Sequence, residues 1–495
     1  MDINTVVEKY VKGKRAAFLS LGCKVNAYEL SAMRQIMVDA GAIAVSFEEK
    51  ADFYVVNTCT VTNIADQKSR QMLHKAKREN PDAIVIAAGC YVQAYEEKVK
   101  MDDAIDLVIG NRGKGKILEA ITEYFNAKEE SDEVIKNDMV CNIMKNDTYE
   151  ELPLAPETEH TRAYLKVQDG CNQFCTYCII PFARGRICSR KEEDIVAEVK
   201  QLAQNGFKEI VITGIHLSSF GMEHYPEKER FDLCPGNLNK EDADSMEEHP
   251  LVHLILSVAK IKGIERIRLG SLEPRIITEG FVAAIYKRTD KLCPQFHLSL
   301  QSGCDATLKR MARRYTTDDF REGVRILRKY YVNPAITTDI IVGFPGETDD
   351  DFNACVEFAK EIGFAKIHVF KYSRRDGTRA ALMKDQVANA VKNERSHILI
   401  EAEEEMERAY ADSFRGESID VLFEDSVLLT DEELLGLNVG SLEKNVVTEN
   451  MDDGDEAVRN LDKKLYYRGH TDRNVMIYVR CNSDISGQIL PVVLK

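Results

Sequence analysis

Along the first 90 residues, short apolar runs alternate with longer stretches whose apolar positions recur every three or four residues. The runs at 15–22, 52–58 and 83–89 predict strands, and residues 28–40 and 64–80 predict helices between them. Such alternation implies an open parallel sheet with helices on both faces. Residues 126–158 are acidic and lack sustained periodicity, so they predict a linker. From 159 to 395 the alternation resumes. Strands are predicted at 163–168, 209–213, 266–269, 296–301, 337–342 and 366–372, and helices at 192–205, 251–261, 317–330 and 349–362. Six such units predict a partial barrel with its site at the carboxyl ends of the strands. Residues 221–250 interrupt the pattern as an acidic insertion, expected at the periphery. A charged helix at 390–410 leads to short runs at 418–423, 465–467, 475–480 and 488–493 that suit a small β-barrel. The fold class is α/β. An N-terminal open parallel sheet (1–125) and the linker (126–158) precede a central partial (βα)6 barrel (159–395). A connecting helix (396–414) and a small C-terminal β domain (415–495) follow.

A length of 495 residues agrees with three domains. No apolar run is long enough to span a membrane. The opening MDINTVVEKY resembles neither a signal peptide nor an Arg-rich transit peptide, so a cytoplasmic location is expected. A formal charge of −16 argues against a generic nucleic-acid coat protein, but only a local patch need be positive for a specific RNA contact. The 13 cysteines are scattered, and their odd number argues against complete disulfide pairing. In a reducing compartment such cysteines are metal ligands or buried filler.

The spacing of Cys171, Cys175 and Cys178 carries the most chemistry. C-x3-C-x2-C is neither a zinc pattern, which takes four ligands, nor the C-x2-C-x2-C run of bacterial ferredoxins. Three thiolates on a cubane of four irons leave one iron open to a small molecule. This loop directly follows the first predicted barrel strand, where a barrel site belongs. Cys23, Cys59 and Cys90 each end a predicted strand of the first domain. Because ligands bind at the carboxyl ends of open α/β sheets, these three are expected to converge on a second three-thiolate site. The alternative is coincidence, since cysteine is common near buried strands. The other seven cysteines read as small apolar filler.

The Cys171–Cys178 motif resembles the radical S-adenosylmethionine (radical SAM) signature, and with both cysteine sets the whole chain resembles the methylthiotransferase family. Several segments are similar to the branch acting on N6-threonylcarbamoyladenosine in tRNA: Leu21-Gly22-Cys23-Lys24-Val25-Asn26, Thr213-Gly214-Ile215-His216-Leu217, and residues 266–274, 301–303 and 311–315. Residues 339–348 are similar to all branches. The resemblance implies a transferase with a radical SAM barrel, a C-terminal TRAM domain, S-adenosylmethionine and two 4Fe-4S clusters. Cys171, Cys175 and Cys178 would hold the SAM-cleaving cluster, and Cys23, Cys59 and Cys90 an auxiliary cluster carrying the sulfur to be transferred. SAM would serve twice, once to methylate that sulfur and once to give a 5′-deoxyadenosyl radical that takes hydrogen from C2 of the modified adenine at tRNA position 37. Asn474, where family members often have Tyr, and the long 221–250 stretch depart from the pattern.

Within that resemblance, Gly214 would admit the methionine amine, Ser271, Glu273 and Gln301 would hydrogen-bond the amine or ribose, and Arg314 would pair with the SAM carboxylate. Each reads equally as an ordinary polar residue at a barrel mouth. His216, between Ile215 and Leu217, reads as a packed histidine. Candidate contacts to the tRNA anticodon stem-loop are Arg184 and Arg186 beside the cluster loop, with Arg190, Arg374, Arg375 and the basic run 68–78 as further candidates. The segment Gly469-His470-Thr471 would bind RNA by resemblance. An electron donor such as flavodoxin or ferredoxin and a sulfur donor are implied partners, and a monomer is expected. Methylthio transfer to isopentenyladenosine tRNA or to a ribosomal-protein aspartate is the alternative enzyme reading. A non-enzymatic iron–sulfur protein that binds RNA is the third.

Overall fold

The computed structural model describes residues 1–130, 138–146, 148–153, 161–236, 238–442 and 463–495. The N-terminal sheet has six strands, all parallel: β1 (Arg15–Ser20), β2 (Ile43–Val45), β3 (Phe53–Thr58), β4 (Ile84–Gly89), β5 (Leu107–Ile109) and β6 (Asp138–Met139), in the order β2-β1-β3-β4-β5-β6. Every residue of β3 and β4 is buried, because helices cover both faces. Met33, Met37, Ile117 and Ile121 pack on one face, and Leu73 and Ala76 on the other. The last helix runs to Glu130, and β6 comes from the stretch expected to be a linker, so the domain extends past residue 125. The remaining linker positions 131–137, 147 and 154–158 lie outside the described residues.

Six parallel strands build the central partial barrel: β7 (Arg162–Asp169), β9 (Glu209–Gly214), β10 (Arg266–Leu269), β11 (Gln295–His297), β12 (Ala335–Val342) and β13 (Lys366–Lys371). A two-residue strand, β8 (Cys188–Ser189), pairs antiparallel to β7. Bridges Ile267–Leu292 and Leu272–Leu298 join the two halves of the wall. The strand expected at 296–301 stops at His297, although Gln301 still bridges to Ile340. The acidic insertion is less peripheral than expected. Leu233, Cys234, Ala243 and Met246 enter the barrel's main core, and Glu223 accepts from the Ser189 hydroxyl at 3.0 Å. Most of its acidic residues are exposed, while its few apolar ones anchor it.

Helix Asn389–Asp412 leads to a closed barrel of β14 (Ser418–Leu429), β15 (Val439–Leu442), β16 (Lys464–Thr471), β17 (Met476–Arg480) and β18 (Ile489–Leu494), in the order β14-β16-β17-β15-β18. This barrel caps the amino-terminal end of the central one. Arg266 donates to the Asp420 carbonyl at 2.8 Å, and Arg268 donates to the Thr471 carbonyl at 3.1 Å while pairing with Glu209. Arg162 pairs with Glu424, which also holds His470. The Gly469–Thr471 segment expected to meet RNA is thus occupied as a domain contact. No helix among the described residues is long and apolar enough to cross a membrane.

Candidate active site

Cys23, Cys59 and Cys90 sit at the ends of β1, β3 and β4, three adjacent strands, and meet at one edge of the sheet. Gly22 turns the chain into Cys23 with φ +102°, and a Cβ there would lie 2.6 Å from the Cys59 sulfur, so the two loops are in contact. Cys90 accepts hydrogen bonds from Arg184 Nε (3.2 Å) and Asn111 Nδ2 (3.4 Å). Cys59 and Cys90 are buried, whereas Cys23 is exposed. Burial nonetheless raises the Cys23 thiol.

Cys171, Cys175 and Cys178 lie on the loop after β7. Gly170 opens the loop with φ +69°, and a Cβ there would strike the Arg186 carbonyl at 1.9 Å. Thr176 ties the loop down, with its N–H donating to the Met311 carbonyl (3.0 Å) and its hydroxyl to the Arg310 carbonyl (2.9 Å). Arg313 Nη1 donates to the Cys175 sulfur at 3.2 Å. A cavity of about 160 Å³ connects the two cysteine loops. Val61 and Thr62, just after Cys59, line one wall, and Tyr177, Cys178 and Gln301 line another. Gln301 holds φ +70°, a left-handed conformation that costs a non-glycine residue about 1–2 kcal/mol. Such strain clusters at functional sites, and here it falls at a residue lining the cavity.

The residues expected around SAM divide. Glu273 is buried and accepts from Gln173 of the cluster loop (3.0 Å), from His216 Nε2 (3.1 Å) and from Arg275. His216 is therefore no passive packing residue, because its Nδ1 also meets Ser219 Oγ at 2.7 Å and the ring fixes the carboxylate. Ser271 is exposed at the end of β10. Gly214 is needed where a Cβ would meet Gln168 at 2.9 Å, so the close approach is to protein. Arg314 is exposed and stacks on Phe231 of the insertion, 3.7 Å from the ring centroid, so the arginine facing the cluster loop is its neighbour Arg313.

Burial alone would raise the Glu273 carboxyl, but the His216 hydrogen bond and the charges of His216, Arg275 and Arg313 hold it at about 2. A depressed carboxyl stabilises the fold above its unfolded pKa of about 4.3, and that contribution disappears as pH falls toward 2. The expected difference in Tm between wild type and His216→Ala therefore shrinks as pH falls from about 4 to about 2. A difference independent of pH across that range would show that His216 does not act through Glu273.

Arg184 corrects the sequence reading. It has no exposed surface, and its guanidinium is occupied by Cys90, Asn26, Glu29 and Asp169, so it is closed to RNA. Arg190 is likewise buried against Glu198 and Glu151. Arg375 is buried against Asp66, Asn63, Thr60 and Tyr95, pinning the N-terminal domain to the barrel. Arg186 is exposed over the Phe174 ring at 4.7 Å, beside exposed Phe182. Lys68, Arg70, Arg78 and Arg374 are also exposed, whereas Lys75 and Lys77 pair with Glu48 and Asp106.

The donor chemistry of both triads suits iron–sulfur clusters. Burial and then a neighbouring sulfur push Cys59 and Cys178 up to about 12 and raise Cys171 as well. Thiols this dry need metal to hold them as thiolates. A single tetrahedral zinc would draw three sulfurs to about 3.8 Å apart. Among the described residues, the group that brings its donor atoms within 4.8 Å of one another is His297, Asp339 and His368. Lys24 and Lys366 act on His368, and their charge opposes a further cation there.

Residues 15–110 match the model of the uncharacterized protein family UPF0004, and residues 165–359 match that of the radical SAM superfamily. The chain is 40% identical to the threonylcarbamoyladenosine tRNA methylthiotransferase MtaB of Bacillus subtilis, over 84% of this chain and 86% of that protein. The protein of the same name from Aquifex aeolicus is 36% identical, over 84% and 95%. A tRNA-2-methylthio-N(6)-dimethylallyladenosine synthase from Thermoanaerobacter pseudethanolicus is 34% identical, over 81% and 80%. Among solved structures, the radical S-adenosylmethionine methyltransferase TsrM of Kitasatospora setae aligns at 15% identity with a TM-score of 0.49, covering 74% of this chain and 77% of that one.

Proposed function

The chain belongs to the methylthiotransferase family of radical SAM enzymes, and from that premise we propose that it inserts a methylthio group at C2 of N6-threonylcarbamoyladenosine, at position 37 of tRNA. The observation that carries the reading is the cavity shared by the loop after Cys59 and the Cys171–Cys178 loop. A reaction that makes a carbon radical with one cofactor and quenches it with sulfur from another needs both at one substrate, since proximity supplies much of the rate. Enzymes of this family work with S-adenosylmethionine and 4Fe-4S clusters, which when bound supply the radical and the sulfur.

In this reading Cys171, Cys175 and Cys178 hold the SAM-binding cluster and Cys23, Cys59 and Cys90 the auxiliary one. Arg313 and Glu273 organise the first site: the arginine meets Cys175, and the carboxylate receives Gln173 from the same loop. Gln301 and Tyr177 face the cavity where the modified adenine enters. Val61 and Phe370 give that mouth an apolar rim suited to an unstacked base, and Arg374 and Arg186 provide exposed charge for phosphates. The anticodon stem-loop is the bound element. A low-potential donor such as flavodoxin or ferredoxin and a sulfur source serve the reaction in the cytoplasm, with the enzyme acting as a monomer.

The test offers anaerobically reconstituted protein three substrates: tRNA carrying threonylcarbamoyladenosine, tRNA carrying isopentenyladenosine, and the ribosomal protein. Methylthio product on the first alone is expected. Product on another substrate and none on the first would end this reading. Iron analysis accompanies it, with about eight irons in wild type and about four in the Cys23/Cys59/Cys90 triple alanine variant.

A further inference from the structure

Between the two cysteine sites lies a buried set of charges that the reaction as described does not use. Arg184 is its centre. It belongs to the short helix Ile180–Arg184 that follows the Cys171–Cys178 loop. Its Nε donates to the sulfur of Cys90 (3.2 Å) and its Nη2 to Asn26 (2.6 Å), three residues beyond Cys23. Its Nη1 reaches Glu29 (2.8 Å) and Asp169 (3.2 Å), the second being two residues before Cys171. One side chain thus touches a ligand of the auxiliary site and the base of the other cluster's loop.

The charges around it do not balance. Lys114 and Lys166 also bond Glu29, and Arg112 bonds Asp169 at 2.9 Å. All six side chains are buried. Four cations face two carboxylates in a region from which water is excluded, and buried charge of one sign is costly unless opposite charge compensates it. The sulfurs of Cys23, Cys59 and Cys90 adjoin this excess. A cubane held by three thiolates carries a net charge of about −1, and about −2 once reduced. The surrounding excess therefore favours the reduced form over the oxidised one. Hydrogen bonds from Arg184 and Asn111 to the Cys90 sulfur act in the same direction, by withdrawing charge from the ligand.

We propose that Arg184 is a positioning residue of the Cys23/Cys59/Cys90 site: it carries positive charge across the domain boundary onto that site, raises its reduction potential, and fixes the site against the loop of the other cluster. The inference rests on the reading of this triad as an auxiliary cluster. It separates two roles that proximity alone would not. The site meant to carry sulfur is held in a cationic, hydrogen-bonded cage, and among the described residues the sulfurs of the site meant to deliver a strongly reducing electron receive a side-chain bond from Arg313.

The test uses the full chain with Cys171, Cys175 and Cys178 replaced by alanine, so that only the auxiliary cluster forms. Its midpoint is measured by redox titration followed by electron paramagnetic resonance, in that parent and with Arg184→Lys, Arg184→Gln or Asn111→Ala added. Iron is assayed in each sample. All are expected to hold about four irons, and the midpoint is expected to move negative, least for Asn111→Ala and most for Arg184→Gln. Should Arg184→Gln not fold, Arg184→Lys, which keeps the charge but loses the Nε donor, and Asn111→Ala decide the matter. Equal midpoints across the series overturn the inference while leaving the cluster assignment standing. A parent that binds no iron overturns the assignment, and the inference with it. In the enzyme with both clusters, a shift of the SAM-binding cluster as large as that of the auxiliary cluster would mark general loosening and would also overturn the proposal.

Discussion

Cys59→Ala is expected to lower methylthio product by more than about a hundredfold while 5′-deoxyadenosine still forms. The two outcomes separate because the two triads are separate in the chain, one at the sheet edge and the other on the loop after β7. Cys59 ends β3, and its sulfur lies against the Gly22 turn that presents Cys23, so an alanine there removes the middle ligand of the sheet-edge site. The Cys171–Cys178 loop is held by Thr176, Met311 and Arg313, none of which bonds Cys59. Radical formation therefore has no structural reason to stop. Cys175→Ala gives the opposite pattern, with no deoxyadenosine and no product. Both readouts come from one chromatogram of a single anaerobic incubation. Full product from Cys59→Ala would remove the auxiliary site from this edge of the sheet.

The parts of this fold legible in the sequence are those with long periodic signals. β3 and β4 read as strands because both faces are buried and nearly every position is apolar or small, Asn57 being the polar exception. β2, β5 and β6 span two or three residues, too few for any period to appear, and are strands only because longer neighbours offer them an edge. The two cysteine sets were legible for a related reason: one is a local spacing, and the other follows from where strands end. The arginines were not. A positive residue in sequence carries no sign of a partner across a domain boundary. Arg184 meets Glu29 from 155 residues away, and Arg375 meets Asn63 from 312. Arg313 and Arg314 are adjacent, and Ala312 before them takes φ +58°, so no helical period tells which of the two turns inward. Their roles emerge only when the chain reversal is seen.

Glu29→Gln is expected to destabilise the protein by about 3–5 kcal/mol, more than any single change outside the cysteine ligands. Glutamine keeps the shape and removes the charge. Glu29 receives Lys166 at 2.7 Å and Arg184 at 2.8 Å on one oxygen, and Lys114 and Arg184 on the other. Without it, Asp169 alone would face four buried cations, and an unpaired buried charge costs more than a broken surface pair. Burial works against the Glu29 anion, and the charges of Arg184, Lys114 and Lys166 outweigh it and hold the carboxyl well below its ordinary range. The loss should appear as a lower midpoint in urea unfolding. Because Glu29 is on the N-terminal domain and Arg184 and Lys166 are on the barrel, it should also appear as faster amide exchange in helix Lys24–Asp39. Glu192→Gln, on an exposed pair with His253, is the matched control and should change stability by less than about 1 kcal/mol. A Glu29→Gln protein as stable as that control would mean that the five remaining buried charges are tolerated without it. The domain boundary would then be held by the apolar contacts and by Arg375 rather than by this network.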